Sequence, residues 1–202
     1  MSRAVSAIGY PSIMKDFLNK LGLTFSKLFQ KKPQTTISPE DMAKRILFVS
    51  IDDITQVTES YNRTDQDLLI RSLYEYSFFC VSELTEARIP WINESYTAQL
   101  VIELQSYFIR MANQGLIEIH EASVFHLYYT LRRDHYRNID TEYRVRRLCI
   151  HLAQRFPSYE TPTTLYPKWL PKAQTVVSRI LALPPETLES ATDLVCQKLL
   201  TY

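Results

Sequence analysis

The stretch that decides the fold class is DLLIRSLYEYSFFCVSELTEA at residues 67–87. On a helical wheel its apolar side chains occupy most of the circumference and leave one narrow polar stripe, which comprises Arg71, Ser72, Glu75, Ser82 and Glu83. Thr64-Asp65-Gln66-Asp67 is typical of a helix N-terminus, because the Thr hydroxyl can accept from free backbone N–H groups. A helix that is apolar on nearly all sides is normally surrounded by others. The stretch therefore predicts an all-α domain with this helix near its centre.

Start signals on both sides of this stretch predict further helices. Ser38-Pro39-Glu40-Asp41 combines an N-cap with a Pro at the first helical position. Within the helix that follows, residues 46–51 fit either a helix or a short strand, and we favour the helix. Asn93 can cap another helix, and Ile102 and Ile109 add apolar residues opposite its main apolar face. We therefore expect that helix to be central too.

The C-terminal half predicts four more helices, over about 121–137, 141–156, 172–183 and 186–200. Prolines recur through residues 157–171. Because Pro lacks a backbone donor and clashes inside a helix, these residues predict an extended loop. We expect its aromatic side chains to be exposed, namely Tyr159, Tyr166 and Trp169. The fold class is thus an irregular all-α bundle of about seven or eight helices, with a Pro-rich loop before the last two.

The N-terminal segment predicts a separate amphipathic helix. Residues 1–32 carry six basic groups against Asp16 alone, residues 33–37 read as a linker, and residues 38–202 form the helical domain. The apolar face suits docking to a partner, a membrane or the domain itself, and its main residues are Phe17, Leu18, Leu21, Phe25, Leu28 and Phe29.

Residues 22–32, GLTFSKLFQKK, resemble the membrane-binding N-terminal helix of ADP-ribosylation-factor GTPases. The resemblance covers eleven residues. In those proteins the Gly follows the initiator Met and is myristoylated, whereas Gly22 is internal, and this chain has no P-loop. The resemblance therefore implies a comparable amphipathic helix and no GTPase.

Composition excludes several classes of enzyme. The 202 residues include only 3 Gly, too far apart to form a phosphate loop or a dinucleotide fingerprint. The 3 Cys are widely scattered, which predicts buried thiols in a reducing compartment instead of a disulfide framework or a zinc site. With no secretory signal and no apolar run of transmembrane length, we expect a cytoplasmic protein, possible contact with an anionic membrane surface included.

The histidines do not match the spacing of a metal site or of a catalytic motif. His120 and His126 lie six positions apart, whereas two zinc ligands on one helix face need a separation of four. No nucleophile elbow occurs, and adjacent acids such as Asp52 and Asp53 point about 100° apart on a helix. We therefore predict no catalytic residues, no metal and no cofactor. A site assembled between helices stays open as an alternative.

Arginines are concentrated in residues 132–155, which carry seven of them against three acids. Arg144, Arg147, His151 and Arg155 recur at helical spacing and predict one shared face. We predict a partner- or anion-binding set of Arg132, Arg133, Arg137, Arg144, Arg147, His151 and Arg155. Guanidinium groups pair with carboxylates and phosphates. The competing interpretation is internal, because residues 52–86 carry eight acids that could neutralise these arginines.

These observations favour a non-catalytic protein–protein interaction protein, an adaptor or subunit of a larger assembly. It would dock through the N-terminal amphipathic helix and the arginine-rich face, with another protein as partner. Two alternatives remain: a helical protein that binds nucleic acid through the arginines of residues 132–155, and an enzyme whose site lies between helices. Nucleic acid is the less favoured partner because the formal net charge is only +1.

Overall fold

The computed structural model describes residues 36–58, 66–115, 139–154 and 160–185, together with residues 125, 129, 130, 133, 136 and 137. These contain five helices and no strand: α1 (Pro39–Thr58), α2 (Gln66–Glu86), α3 (Glu94–Asn113), α4 (Thr141–Ala153) and α5 (Pro162–Ala182). The predicted all-α class is confirmed. The helices predicted over 11–32 and 186–200 lie outside the described residues, so the number of helices in the whole chain stays a prediction.

Helix α1 begins at the predicted cap. The backbone N–H of Asp41 donates to Ser38 Oγ at 3.1 Å, and Pro39 takes the first helical position. The helix continues without a break through residues 46–51, where five of the six side chains are buried. Helix is thus the correct reading of residues 46–51, because this segment packs one broad apolar face against α2, α3 and α5.

Helix α2 is central, as predicted. It packs against all four other helices. Most of its polar stripe is buried as well, including Ser72, Glu75 and Glu83. Aromatic rings surround it: Phe78 stacks on Phe125 with ring centroids 4.6 Å apart. Polar groups that are buried on a central helix need hydrogen-bonding or ionic partners.

Helix α3 starts at the predicted cap. Asn93 Oδ1 accepts from the Tyr96 backbone N–H at 2.9 Å, and Gly115 follows the helix with a φ of 76° that favours glycine. The prediction of a central helix is wrong here. Ile102 is 48% exposed and Ile109 is only partly buried, so the face of α3 opposite its core face is partly open to solvent.

Helix α4 begins at the predicted residue 141, behind an Asp140 cap whose Oδ1 accepts from the Tyr143 backbone N–H at 2.8 Å. Its core face is Val145, Leu148, Cys149 and Leu152, all buried. In the stretch before it, residues 125, 129, 130, 133 and 136 are helical, in agreement with the helix predicted there.

Helix α5 corrects the predicted Pro-rich loop. Residues 162–171 are helical: Pro162 takes the first position behind a Thr161–Thr164 capping box, and Pro167 and Pro171 lie inside the helix. Both inner prolines are exposed, so water can hydrate the carbonyl groups that lose their backbone donors. The stripe on the other side drives the fold, because it buries Leu165, Trp169, Ala173, Val176 and Ile180.

The burial of α5 also changes the expectation about its aromatic residues. Trp169 is only 2% exposed and lies 4.6 Å from the Tyr76 ring, whereas Tyr166 is half-buried at the edge of the helix. Trp169 is therefore a core residue, and its predicted exposure is wrong. Tyr159 lies outside the described residues. Among the described helices, none combines the length and apolar character that a membrane crossing requires.

Candidate functional site

Arg144, a predicted binding residue, lies inside the domain. It is 5% exposed and forms a buried ion pair with Glu83 on α2 through Nε and through Nη2, the latter 3.1 Å from Glu83 Oε2. The same guanidinium donates to the Ile139 carbonyl oxygen and to Thr141 Oγ1. An acid of residues 52–86 thus neutralises an arginine of residues 132–155. Arg144 connects α2 to α4, and four of its five N–H donors are used inside the domain.

The predicted arginine face is therefore divided by the fold. His151 is 7% exposed, with its ring edge-on to Tyr136 at 6.1 Å. Arg147 is half-buried at the rim of α4. Arg133 and Arg137 are exposed but lie in the chain before α4, on another surface. Arg132, Arg155 and the six residues of the predicted docking helix (Phe17, Leu18, Leu21, Phe25, Leu28 and Phe29) lie outside the described residues.

The solvent-facing side of α4 carries a different set of residues. Tyr143 is 48% exposed and Ile150 is 42% exposed. Between them lie Arg146 and Arg147, and all four positions share one face because they are spaced three, four and seven residues apart. The Arg147 guanidinium lies over the Tyr143 ring, 5.4 Å from its centroid. This face is opposite the buried Val145, Leu148 and Cys149 face, so the core determines it.

Helix α5 completes this surface. The Arg146 guanidinium lies over the Tyr166 ring at 4.8 Å, a cation–π geometry that bridges α4 and α5. Arg146, Ile150, Pro162, Thr163 and Tyr166 line a shallow groove of about 280 Å³. We call Tyr143, Arg146, Arg147, Ile150 and Tyr166 the α4–α5 surface. It combines exposed aromatic, aliphatic and guanidinium groups, the side chains that protein interfaces favour.

The two arginines of the α4–α5 surface have different partners from Arg144 and Arg179. Arg144 and Arg179 each pair with a carboxylate. Within the described part of the chain, neither Arg146 nor Arg147 has a carboxylate within ion-pair distance, and both lie on tyrosine rings. The surface is therefore positively charged with an apolar centre, and it suits a ligand that brings carboxylates.

Sequence reasoning missed Arg146, Tyr143 and Ile150, although a signal was present. The apolar residues at 145, 148, 149 and 152 form the core face of this helix, and the face opposite them contains Tyr143 and Ile150. Two large apolar residues opposite a core face are unusual on a surface helix. The predicted binding face rests instead on the charge periodicity of Arg144, Arg147, His151 and Arg155. That row of residues runs along the border of the core.

A second concave region lies between α2, α3 and the described residues 129, 130, 133, 136 and 137. It has a volume of about 330 Å³, and Arg133 and Arg137 line it together with the carboxylates of Glu86 and Glu94. The structure thus places two of the predicted binding arginines at one cleft. Tyr129 also lines it; burial raises the pKa of this phenol, and the positive charge of Arg133 opposes part of that increase.

A buried polar network joins α1, α2 and α5. Asp53 is fully buried and accepts from Tyr76 Oη at 2.7 Å and from Arg179 Nη1 at 2.8 Å, and Lys172 Nζ lies 3.2 Å away. Burial raises the pKa of Tyr76 well above its usual value, with the Cys80 thiol and the Asp53 carboxylate adding to the effect. These groups satisfy one another, so the network holds three helices together.

Both described cysteines are buried, as predicted, while Cys196 lies outside the described residues. Burial raises the pKa of the Cys149 thiol to about 12 and raises that of Cys80 further. Neither thiol is therefore activated as a nucleophile. Within the described ranges, no three histidines, cysteines or acids come together in a way that could hold a metal ion. No family model, curated protein or solved structure matches this chain.

Proposed function

We propose that this chain is a non-catalytic protein–protein interaction protein, an adaptor or subunit of a larger assembly, that docks a partner on the α4–α5 surface. The observation that carries the proposal is the pairing of Arg146 with the half-buried Tyr166 ring and of Arg147 with the exposed Tyr143 ring, next to the exposed Ile150. Tyrosine and arginine dominate the binding energy of protein interfaces, because each offers a large apolar surface and a polar end.

Charge and shape together define the partner. The groove beside Ile150 accepts an apolar side chain, and the guanidinium groups of Arg146, which lines the groove, and of the neighbouring Arg147 attract carboxylates. The expected occupant is a helical or extended protein segment with one large apolar residue between acidic residues. Residues 1–32 do not suit this surface because they are basic themselves, so the occupant is a different protein.

The N-terminal helix is proposed as the second docking element, on the basis of its sequence pattern. Its apolar residues and its Pro33 linker would let it engage a partner or an anionic membrane independently of the domain. A chain that starts at Pro33 would keep the contact made by the α4–α5 surface. It would lose the affinity that a second, tethered contact supplies.

Nucleic acid is the weaker candidate for the arginines. Phosphate binding needs several accessible cationic groups along one path, and Arg144 is taken up by Glu83. Tyrosine rings support Arg146 and Arg147, but the apolar Ile150 between them suits a protein side chain better than a phosphate. A phosphate-binding surface would also lose affinity steeply with salt, which separates the two candidates by experiment.

The test is affinity capture of the tagged full-length chain from its source cell after nuclease treatment. We compare the wild type with Arg146→Glu/Arg147→Glu and with Arg88→Glu/Arg110→Glu, which reverses two exposed arginines elsewhere. The proposal predicts a stoichiometric protein partner that is lost only from the first variant. Equal capture by both variants would contradict the assignment of the surface, and nucleic acid that co-purifies without nuclease would favour the alternative.

A further inference from the structure

Among the described residues that line the groove of the α4–α5 surface, Thr163 alone carries an aliphatic hydroxyl group. Thr163 lies in the first turn of α5, where residues 161–164 are all exposed. The first turn of a helix opens more readily than its middle, so an enzyme can reach this segment. The position is therefore accessible to covalent modification.

The hydroxyl group of Thr163 has a different role from those of the neighbouring threonines. Thr161 Oγ1 accepts from the Thr164 backbone N–H at 3.3 Å and caps the helix. Thr164 Oγ1 accepts from the Thr161 backbone N–H at 2.9 Å, which completes the capping box. The Thr163 hydroxyl group takes part in neither bond, so a group attached to it would leave the start of α5 intact.

Arg146 lies beside Thr163 in the same groove. Its guanidinium group lies over the Tyr166 ring, 4.8 Å from the centroid, and Tyr166 follows Thr163 by one helical turn. Because residues three positions apart share a helix face, a phosphate on Thr163 Oγ1 would extend along that face towards Arg146. Within the described part of the chain, no carboxylate lies within ion-pair distance of Arg146. A phosphate on Thr163 would supply that counter-ion.

We propose that Thr163 is a phosphorylation site, and that its phosphate pairs with Arg146 and closes the α4–α5 surface to the acidic partner. This inference rests on the proposed function of that surface. The phosphoryl donor is a nucleoside triphosphate and the catalyst is a separate kinase. The bond between Thr163 Oγ1 and the γ-phosphorus forms, the bond from that phosphorus to its bridging oxygen breaks, the nucleoside diphosphate leaves, and the hydroxyl proton passes to a base of the kinase. The phosphate then fills part of the groove of about 280 Å³ and repels carboxylates.

Phosphorus NMR of the full-length chain tests the contact with Arg146 without any partner. Phosphothreonine is incorporated at position 163 in the wild type, in Arg146→Gln and, as the matched control, in Arg110→Gln, which removes an exposed arginine of α3. The second ionisation of such a phosphate has a pKa of about 6, and a nearby guanidinium group lowers it. We expect the phosphate pKa to rise by about 0.5 in Arg146→Gln and to stay unchanged in Arg110→Gln. The same pKa in all three chains would overturn the pairing.

Affinity capture of the tagged full-length chain from its source cell, with phosphatase inhibitors present, tests the regulation. Mass spectrometry of its peptides should find phosphate on Thr163 in the chain without a partner and not in the chain that carries one. Thr163→Glu should reduce partner capture at least about tenfold, because it places a negative charge in the groove. Thr163→Val and Ser178→Glu, the latter at an exposed position about four turns along α5, should not.

The outcomes separate this inference from the proposed function. No phosphate on Thr163 would overturn the inference and leave the docking surface in place. So would full capture by Thr163→Glu while Arg146→Glu/Arg147→Glu captures nothing. A wild-type chain that captures no partner would contradict the proposed function, and with it the regulation, whatever the phosphate titration shows.

Discussion

Asp53 shows how one residue can bind three helices. It lies on α1 with no exposed surface and joins Tyr76 on α2 to Arg179 and Lys172 on α5. A buried carboxylate stabilises the fold only while its partners are in place. Those partners in turn are stabilising only while the carboxylate is present. Its neighbour Asp52 is 44% exposed and, among the described residues, forms an ion pair with Arg179 alone, at 3.3 Å. The two adjacent acids therefore have very different energetic roles.

Asp53→Ala should destabilise the domain by about 2–4 kcal/mol, because it leaves the Tyr76 hydroxyl and part of two cations without a counterpart. Asp52→Ala should cost under about 1 kcal/mol, because exposed ion pairs contribute little. Urea denaturation followed by circular dichroism measures both. Equal losses from the two variants would contradict the structure of this network.

The raised pKa of the buried Cys149 thiol predicts how the free energy of unfolding changes with pH. Because burial raises the pKa of Cys149 from 9.0 to about 12, the folded state keeps a proton that the unfolded state releases. The stability that this provides is complete below pH 9 and is lost as the pH rises from 9 towards 12. In that window Cys149 contributes a fall in unfolding free energy of up to about 1.4 kcal/mol per pH unit.

Cys149→Val should flatten this alkaline slope without changing the slope below pH 8, as measured by urea denaturation at a series of pH values.

With Cys196 replaced by Ser, the native chain should also react very slowly with a thiol reagent at pH 8 and react fully once unfolded, since the folded thiols are protonated and covered. Rapid reaction of the native chain would show that Cys80 or Cys149 is accessible.

At the scale of the element, α5 shows that burial can overcome intrinsic propensity. Two inner prolines, Pro167 and Pro171, disfavour a helix at residues 162–171, yet the helix forms because Trp169 and the apolar residues on its side pack against α1 and α2. Trp169→Ala should therefore cost about 3–5 kcal/mol. Gln174→Ala, an exposed position on the same helix, should cost less than about 0.5 kcal/mol. Thermal or urea denaturation that found similar values would contradict this account of α5.

Helix α4 separates an internal arginine from an external one three residues away. Arg144→Met should destabilise the domain by about 3–5 kcal/mol, because it leaves Glu83 buried and unpaired at 5% exposure. Arg147→Met should cost under about 1 kcal/mol, since this side chain lies on the exposed Tyr143 ring. Denaturation curves of the two variants distinguish the roles, and a stable Arg144→Met protein would show that the ion pair does not secure α4.

Helix starts could be predicted from the sequence because capping is local chemistry. Ser38, Asn93 and Asp140 each accept a backbone N–H from the first turn, as their residue types indicate. The loop predicted across Pro167 failed because tertiary burial is not local. For Ile102 the error was the opposite one, because burial was predicted for a side chain that is exposed. A periodic pattern does not reveal whether a second neighbouring helix covers that face of α3.

At the scale of the molecule, the candidate sites also depend on tertiary contacts that a local sequence pattern does not reveal. The acidic and basic blocks were visible in the sequence, but the choice between pairing and exposure depends on which helix faces which. Glu83 takes Arg144 into the core, whereas Arg146 and Arg147 stay outside on tyrosine rings. The cleft containing Arg133 and Arg137 joins three separate parts of the chain, so no local motif could have indicated it.

The most direct test of the central claim is site-specific photo-crosslinking in the source cell. A photoreactive phenylalanine analogue replaces Ile150 on the α4–α5 surface or, as the matched control, Ile102 on α3; the two isoleucines are 42% and 48% exposed. We predict one discrete protein adduct from position 150, lost when Arg146→Glu/Arg147→Glu is added, and none from position 102. The same adducts from both positions, or none from position 150, would contradict the proposal that this surface docks a protein.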